Sequence, residues 1–390
     1  MPHWSQSLGR YRRALIHRVL GPDHLKPDGA CRLAPAWLIL VVNNNCNLRC
    51  KMCDVGLGET SSVFYTHLVG DDPRNMSHAL LARILSQAKA FSPHPKIGLA
   101  FTEPLIHRDI LDFCRTIVQE GFFCSITTNG FMLPRLARDL VEIGVDEITV
   151  SADGPQDVHN RIRGRSNSFQ KLYAGVEALN HWRNTLGRRR PIVRFSYTIT
   201  DENYTDLSAF VEEIAPLQPR DIVVSHLNFI SEEMATVHNA GAGAELPVCR
   251  SNLGTMDLET IDLNAMGEAL RALKALMHSR PDLPPIQIVP DLNTLEELQT
   301  YYLDPLTFIG GRRCTDPWQM MMIRTDGSVI PAHGRCYDYP IDNVHEAPLY
   351  TLWNHERFRT FRKLLQAEGG TLQACARCCG VIGKPRPATS

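Results

Sequence analysis

The sequence predicts an α/β protein: a partial (β/α)6 barrel of parallel strands with a small C-terminal extension made of a hairpin and a helix. Three observations predict it. Short apolar runs alternate with segments of helical period six times over about two hundred residues from Trp37. Repeated βα units require parallel strands joined by right-handed crossovers. From Cys314 the alternation stops, and a turn signal between two apolar runs leads to a cysteine-rich end.

Residues 1–35 read as a lead-in of mixed helix and loop. Leu38–Val42 is a continuous apolar run, as expected of a strand covered on both faces. Ser77 is placed to N-cap a helix carrying Leu80, Leu81, Ile84, Leu85 and Ala88 at helical spacing. Strands follow at Ile97–Phe101, Phe123–Thr127, Glu147–Val150, Ile192–Thr198 and Ile222–Ser225. Helices at Asp109–Glu120, Leu133–Ile143, Phe169–Trp182 and Asp206–Ile214 separate them. Residues 228–262, with Gly241, Gly243, Pro247 and Cys249, break the pattern and read as a long loop or lid. A helix over Leu263–His278 and a short apolar segment, Ile286–Val289, come next. Gln319–Ile323 and Ser328–Ile330 flank Thr325-Asp326-Gly327, a hairpin signal. A helix over Tyr350–Leu365 leads to the last cysteines. The implied division is a lead-in (1–35), a barrel (36–230), a lid with connecting helices (231–310), a C-terminal module (311–380) and a tail (381–390).

The 390 residues are 44% hydrophobic, enough for a substantial core. A net charge of −1 provides no basic field, so nucleic acid is not an expected partner. The basic runs Arg10-Tyr-Arg12-Arg13 and Arg188–Arg190 are of a kind that surface loops carry. No apolar stretch is long enough to span a bilayer, and Met1-Pro-His-Trp-Ser lacks a secretory apolar region. The expected location is the cytoplasm. Twelve cysteines then fit metal binding in a reducing compartment better than disulfides.

Cys46, Cys50 and Cys53 spell Cys-x₃-Cys-x₂-Cys just past the first strand, the end of an α/β sheet where ligands bind. Three thiolates can hold three corners of a [4Fe–4S] cluster and leave the fourth iron for a substrate or cofactor. A structural zinc site normally closes with four ligands, and the next cysteine, Cys31, lies across the apolar run.

This motif resembles the signature of the radical S-adenosylmethionine (radical SAM) enzymes. The resemblance implies that the open iron chelates the amino and carboxylate groups of S-adenosylmethionine. It also implies that an electron from the cluster cleaves the cofactor to methionine and a 5′-deoxyadenosyl radical, which takes a hydrogen atom from substrate. An external one-electron donor such as flavodoxin or ferredoxin is implied too.

Further elements follow successive strands. Phe101-Thr102-Glu103-Pro104 resembles the family's Gly-Gly-Glu-Pro element without its two glycines, which implies that Glu103 binds the cofactor's amino group. The local alternative is an exposed loop glutamate. Thr127-Thr128-Asn129-Gly130 is similar to a tetrad near the cofactor, bringing in Thr128 and Asn129; alone it is an Asn-Gly turn. Ser151-Ala-Asp153-Gly154, with Arg163-Gly164, resembles Ser-x-Asp-Gly…Arg-Gly, which implies Ser151 on the ribose and Arg163 on the carboxylate. Asp153 reads equally as a turn residue. Met52 stands where many members carry an aromatic residue near the adenine, and reads equally as core filling.

The C-terminal module resembles SPASM/twitch extensions, which hold auxiliary iron–sulfur clusters. The matching residues are Cys314-Thr-Asp-Pro317-Trp318, Asp326-Gly327-Ser-Val-Ile-Pro331, Leu352-Trp353-Asn354 and Cys375-x₂-Cys378. The family pattern puts a cysteine at the position of Ala332; Cys336 is the nearest substitute and His333 a weaker one. One auxiliary cluster is expected, on Cys314, Cys336, Cys375 and Cys378, with Cys379 as an alternative to Cys378 and zinc as an alternative to iron. That makes two [4Fe–4S] clusters with S-adenosylmethionine.

Cys31, Cys114 and Cys124 read as buried small hydrophobes. Cys249, in the lid, could return a hydrogen atom to a substrate radical. His226 and Asn228 end the sixth strand and could face substrate, although His226 reads equally as a core histidine. Met320–Met322 reads as hairpin core. The expected function is a radical SAM oxidoreductase acting on a small molecule, because the lead-in looks short for a peptide-recognition domain. The alternatives are a peptide maturase with a partner-delivered peptide, an epimerase using Cys249, and a non-catalytic iron–sulfur or zinc regulator.

Overall fold

The structure, a computed structural model, describes residues 27–69, 74–309, 313–331, 337 and 339–382. The first part of the lead-in, most of the tail, Arg10–Arg13, Ala332, His333 and Cys336 lie outside the described residues.

The barrel strands are β1 (Trp37–Leu40), β2 (Lys96–Leu99), β3 (Cys124–Thr128), β4 (Glu147–Ser151), β5 (Ile192–Thr198), β6 (Ile222–Ser225) and β7 (Ile286–Val289). The C-terminal strands are β8 (Met320–Ile323), β9 (Ser328–Ile330) and β10 (Asp342–Asn343). Among the described residues they form one sheet in the order β10-β9-β8-β1-β2-β3-β4-β5-β6-β7. Every pair from β1 to β7 is parallel.

Two features go beyond six repeats. The apolar segment Ile286–Val289 is a seventh parallel strand on the outer edge of β6. The C-terminal hairpin also joins the barrel sheet: β8 pairs in parallel with β1, Trp37 opposite Met320 and Leu40 opposite Ile323. An uncovered β1 would present a row of unpaired backbone groups, and β8 satisfies them. Met321 and Met322 are fully buried there, as hairpin core.

The strands are less uniformly apolar than a parallel sheet covered on both faces would be. On β5, Val193, Phe195 and Tyr197 are buried, while Arg194, Ser196 and Thr198 on the opposite face are only partly so. On β4, Ile148 and Val150 are buried and Thr149 and Ser151 are not. The apolar face is the one the helices cover.

The helices begin with α1 (Asp54–Leu57), α2 (Val63–Leu68), α3 (His78–Ala88), α4 (Ile110–Gln119) and α5 (Leu133–Ile143). Next come α6 (Gln156–Ile162), α7 (Ser168–Thr185), α8 (Leu207–Ile214), α9 (Glu232–Ala240), α10 (Leu263–Ser279) and α11 (Leu295–Leu303). Ser77 caps α3 by accepting from Leu80 N–H at 3.1 Å, and Leu80, Leu81, Ile84, Leu85 and Ala88 are all buried. α9 falls inside the stretch read as a loop. Its nine residues follow Ser231, whose hydroxyl accepts from Met234 N–H, and the glycines that mask it lie just past its end. Two helices, α12 (Leu349–Trp353) and α13 (Glu356–Ala367), replace the single one expected at 350–365; Asn354 ends the first by turning its side chain to Cys31, whose N–H it accepts at 2.8 Å. Among the described residues no helix is long and apolar enough to cross a membrane.

Candidate metal and cofactor site at the carboxyl ends of the strands

Past β1 the chain runs through Asn43-Asn44-Asn45, which knits the exits of β1 and β2 together. Asn43 Nδ2 donates to the Glu103 carbonyl at 2.8 Å, Thr102 Oγ1 donates to the Asn43 carbonyl at 2.6 Å, and Glu103 N–H donates to the Asn45 carbonyl at 3.2 Å. Asn44 braces the same turn by donating to the Val69 carbonyl and accepting from Arg74 N–H, both at 2.6 Å. The cysteine loop is strapped in turn to the end of α6: Arg49 N–H and Lys51 N–H donate to the Arg163 and Ile162 carbonyls at 3.3 and 3.0 Å. Gly164, at φ +67°, permits this approach, since a Cβ there would lie 2.7 Å from the Arg49 carbonyl oxygen.

Each sulfur of the loop has an N–H donor aimed at it. Gly56 N–H lies 3.3 Å from Cys53 Sγ, the Arg163 guanidinium 3.7 Å from Cys50 Sγ, and the Asn129 amide 4.0 Å from Cys46 Sγ. Burial, then the charge of Cys50, pushes the Cys46 thiol up to about 11 and the Cys53 thiol up to about 12; burial raises Cys50 as well, against Arg163. Alone, these groups stay protonated at neutral pH. With a metal they must ionise, and donors already directed at sulfur suit thiolates. The donor set therefore fits an iron–sulfur cluster, although among the described residues no three His, Cys, Asp or Glu side chains stand close enough to hold a metal ion.

Glu103 is 1% exposed and is no loose loop residue. Its Oε1 accepts from Thr128 Oγ1 at 2.6 Å and Leu105 N–H at 3.0 Å, and its Oε2 accepts from Asn129 N–H at 2.7 Å. Burial nonetheless pushes its carboxyl up to about 6. Oε1 has two donors and Oε2 one, so one lone pair of Oε2 is left for a ligand. Thr128 and Asn129 thus act first on Glu103; Asn129 Nδ2 also reaches Asn47 Oδ1 at 2.8 Å. Phe101, where the family pattern has glycine, takes the glycine-like φ of 84°, at a cost of roughly 1–2 kcal/mol. Its ring lies against Phe64, centroids 6.4 Å apart.

Asp153 is buried, pairs with Arg163 Nη2 at 2.5 Å, and accepts from Thr198 N–H at 3.0 Å. It fixes the guanidinium over Cys50. Burial opposes the guanidinium's charge, but Asp153 and Cys50 outweigh it and hold Arg163 protonated. Ser151, half-buried at the end of β4 level with Ser196, makes no side-chain hydrogen bond among the described residues.

Three further residues of the expected site have these surroundings. His226 is fully buried, with Nδ1 2.7 Å from the Tyr302 hydroxyl and its ring against Tyr301 and Tyr302 of α11. Burial drives it down to about 3, so it is a neutral histidine packed in the core. Met52, 7% exposed, packs in the main core. Cys249 donates its thiol hydrogen to the Ser61 carbonyl at 3.1 Å, so transfer to a substrate needs side-chain rotation.

At the C-terminal end, Cys314 lies beside the residue that follows the last cysteine: a Cβ on Gly380 would stand 2.9 Å from Cys314 Sγ. The Tyr337 hydroxyl is 3.1 Å from Cys375 Sγ. Arg377, between Cys375 and Cys378, is buried and donates to the carbonyls of Thr300, Tyr301, Asp304, Thr307 and Ala376 at 2.6–2.9 Å. Four of those carbonyls lie at or just past the end of α11, where a cation is favoured. Cys31, Cys114 and Cys124 are buried as expected.

Residues 40–214 match the Radical SAM superfamily, and residues 314–379 match SPASM, an iron–sulfur cluster-binding domain. The chain carries a radical SAM domain followed by a SPASM domain. This radical SAM protein is 24% identical over 352 residues to a tungsten-containing aldehyde ferredoxin oxidoreductase cofactor-modifying protein of Pyrococcus furiosus, covering 84% of this chain and 83% of that one. It is 33% identical over 153 residues to a GTP 3′,8-cyclase of Microcystis aeruginosa, an alignment spanning 36% of this chain and 43% of the cyclase. Streptococcus suis SuiB bound to its precursor peptide SuiA superimposes with a TM-score of 0.57 at 14% identity, over 89% of this chain and 72% of SuiB. The fold is that of radical SAM enzymes with a partial barrel.

Proposed function

We propose that this radical SAM enzyme abstracts a hydrogen atom from a small molecule, in a redox transformation assisted by one auxiliary [4Fe–4S] cluster. Cys46, Cys50 and Cys53 hold the first cluster in this reading. Cys314, Cys375 and Cys378, with Cys336, hold the second. The carrying observation is the set of three sulfurs, each with its own N–H donor, beside a buried carboxylate with one open acceptor site.

When bound, the cluster supplies one electron to the sulfonium cofactor and so a source of hydrogen abstraction. The chain's residues do the rest. Glu103 Oε2 accepts from the cofactor's ammonium, while Thr128 and Asn129 hold that carboxylate in place. Arg163 faces the cofactor's carboxylate, kept charged by Asp153. Ser151 offers its hydroxyl to the ribose. A flavodoxin- or ferredoxin-like protein delivers the electron.

The small-molecule reading draws on the Pyrococcus relative, whose name describes a cofactor-modifying protein and which aligns with most of this chain. A second reading, peptide modification, draws on the fold shared with SuiB, seen with a peptide bound. Anaerobic incubation of the reconstituted protein with nucleotide- and sugar-like metabolites, and separately with peptides, decides between them. The first reading expects 5′-deoxyadenosine whose formation depends on a metabolite. Formation that depends only on peptides supports the second, and none with either sinks both.

A further inference from the structure

Asp54 follows the last cysteine of the loop directly, is 2% exposed, and has no part in the reading above. Its carboxylate accepts from the Ser62 hydroxyl at 2.5 Å, the Ser251 hydroxyl at 2.7 Å and Asn252 N–H at 2.9 Å. No cation pairs with it among the described residues, so these donors alone compensate its burial. Two of them belong to residues 249–256.

That stretch touches the cysteine loop again. Thr255 N–H donates to the Lys51 carbonyl at 3.1 Å, and a Cβ on Gly254 would stand 1.9 Å from the same oxygen. On its other side it is tied to the exit of β6. Ile230 and Ser251 exchange two backbone hydrogen bonds of 3.0 Å, and Asn252 Nδ2 donates to the Asn228 carbonyl at 3.2 Å. Asn252 takes φ 60° at the crossing, a conformation asparagine tolerates. β1 and β6 are not neighbours in the sheet, yet residues 249–256 join their exits directly.

We propose that Asp54 is a positioning residue: it holds the 249–256 strap over the three-cysteine loop and so shields the metal site from solvent. The proposal rests on reading that loop as metal-binding. Removing the Asp54 carboxylate takes away two of the strap's ties to the loop, those from Ser251 and Asn252, without touching a sulfur ligand.

The test uses full-length protein, anaerobically reconstituted, with Cys314→Ala and Cys375→Ala in every sample so that iron reports the three-cysteine site. Asp54→Ala attacks the contact from the loop side and Ser251→Ala from the strap side. Arg250, in the strap, is a trypsin site. Cleavage there, relative to other sites, and iron release to a ferrous chelator should both accelerate about tenfold or more in Asp54→Ala, and less in Ser251→Ala. Asp54→Asn, which keeps an acceptor for Asn252 N–H, should fall between. A purely structural loss would raise cleavage at all sites together, and that outcome overturns the proposal. So does faster cleavage at Arg250 with unchanged iron release. A parent protein that loads no iron overturns the underlying reading and the shielding with it; normal loading with equal release rates overturns the shielding alone.

Discussion

The guanidinium of Arg163 lies 3.7 Å from the sulfur of Cys50, although more than a hundred residues separate them in the chain. Asp153 clamps its other end at 2.5 Å. Arg163→Ala leaves a buried carboxylate without its cation, which should cost about 3–5 kcal/mol of stability. Asp153→Asn with Arg163→Met should cost clearly less, because no charge is then stranded. Denaturant unfolding of the metal-free proteins measures both, and equal losses would refute the pairing argument.

Glu103 makes a pH-dependent contribution. Its folded-state pKa of about 6 lies above the ordinary 4.5, so the folded protein binds the extra proton between those values. Stability from this group is therefore greatest below about pH 4.5 and declines by up to about 2 kcal/mol as pH rises through 6. Cofactor affinity should run the other way, tightening as the carboxylate ionises. Calorimetric titration across pH 5–8 should show this trend in the native protein and a flat profile in Glu103→Gln.

Metal loading should release protons. The Cys46 and Cys53 thiols sit at about 11 and 12 before loading, and ligation requires thiolates. Apparent affinity for cobalt(II), followed by its sulfur charge-transfer band, should rise with pH. Substituting Cys46, Cys50 and Cys53 with serine should also remove about half of the iron from fully reconstituted protein, roughly four of eight atoms. Undiminished iron would exclude the loop as a cluster site.

Arg377 anchors the C-terminal cysteine turn through five carbonyls. Arg377→Met should destabilise the protein by about 3 kcal/mol or more, since hydrogen bonds to a charged donor contribute about 1.5–3 kcal/mol each without adding fully. Iron bound through Cys314 and Cys375 should fall while the three-cysteine site keeps its share. Iron analysis in the triple-serine background isolates that loss.

Much of this arrangement is legible in the sequence. The helical periods fixed α3, α5 and α10 to within a few residues, and Cys46, Cys50 and Cys53 stand out by spacing alone. Glu103, Thr128 and Ser151 are singled out by short motifs that resemble family elements, near the ends of successive strands. What escaped depends on distant pairing. No local pattern says that Met320–Ile323 will lie against Trp37–Leu40, because a short apolar strand carries no address for its partner. Asp54 resembles any first-turn helix residue until Ser251 is brought to it. His226 is ambiguous as a letter and becomes a core residue only when the tyrosines of α11 cover it. The run Asn43–Asn45 signals a polar turn, but not which carbonyls it will meet.

The seam between β1 and β8 also constrains synthesis. Trp37 leaves the ribosome about 280 residues before Met320, the residue that will lie beside it. Throughout that interval the outer margin of the first strand has no partner, so the nascent chain carries an adhesive ridge next to its thiol-rich loop. Maturation of the metal sites is best deferred until the polypeptide is finished, when the late hairpin has docked and the early strand can no longer recruit a stranger.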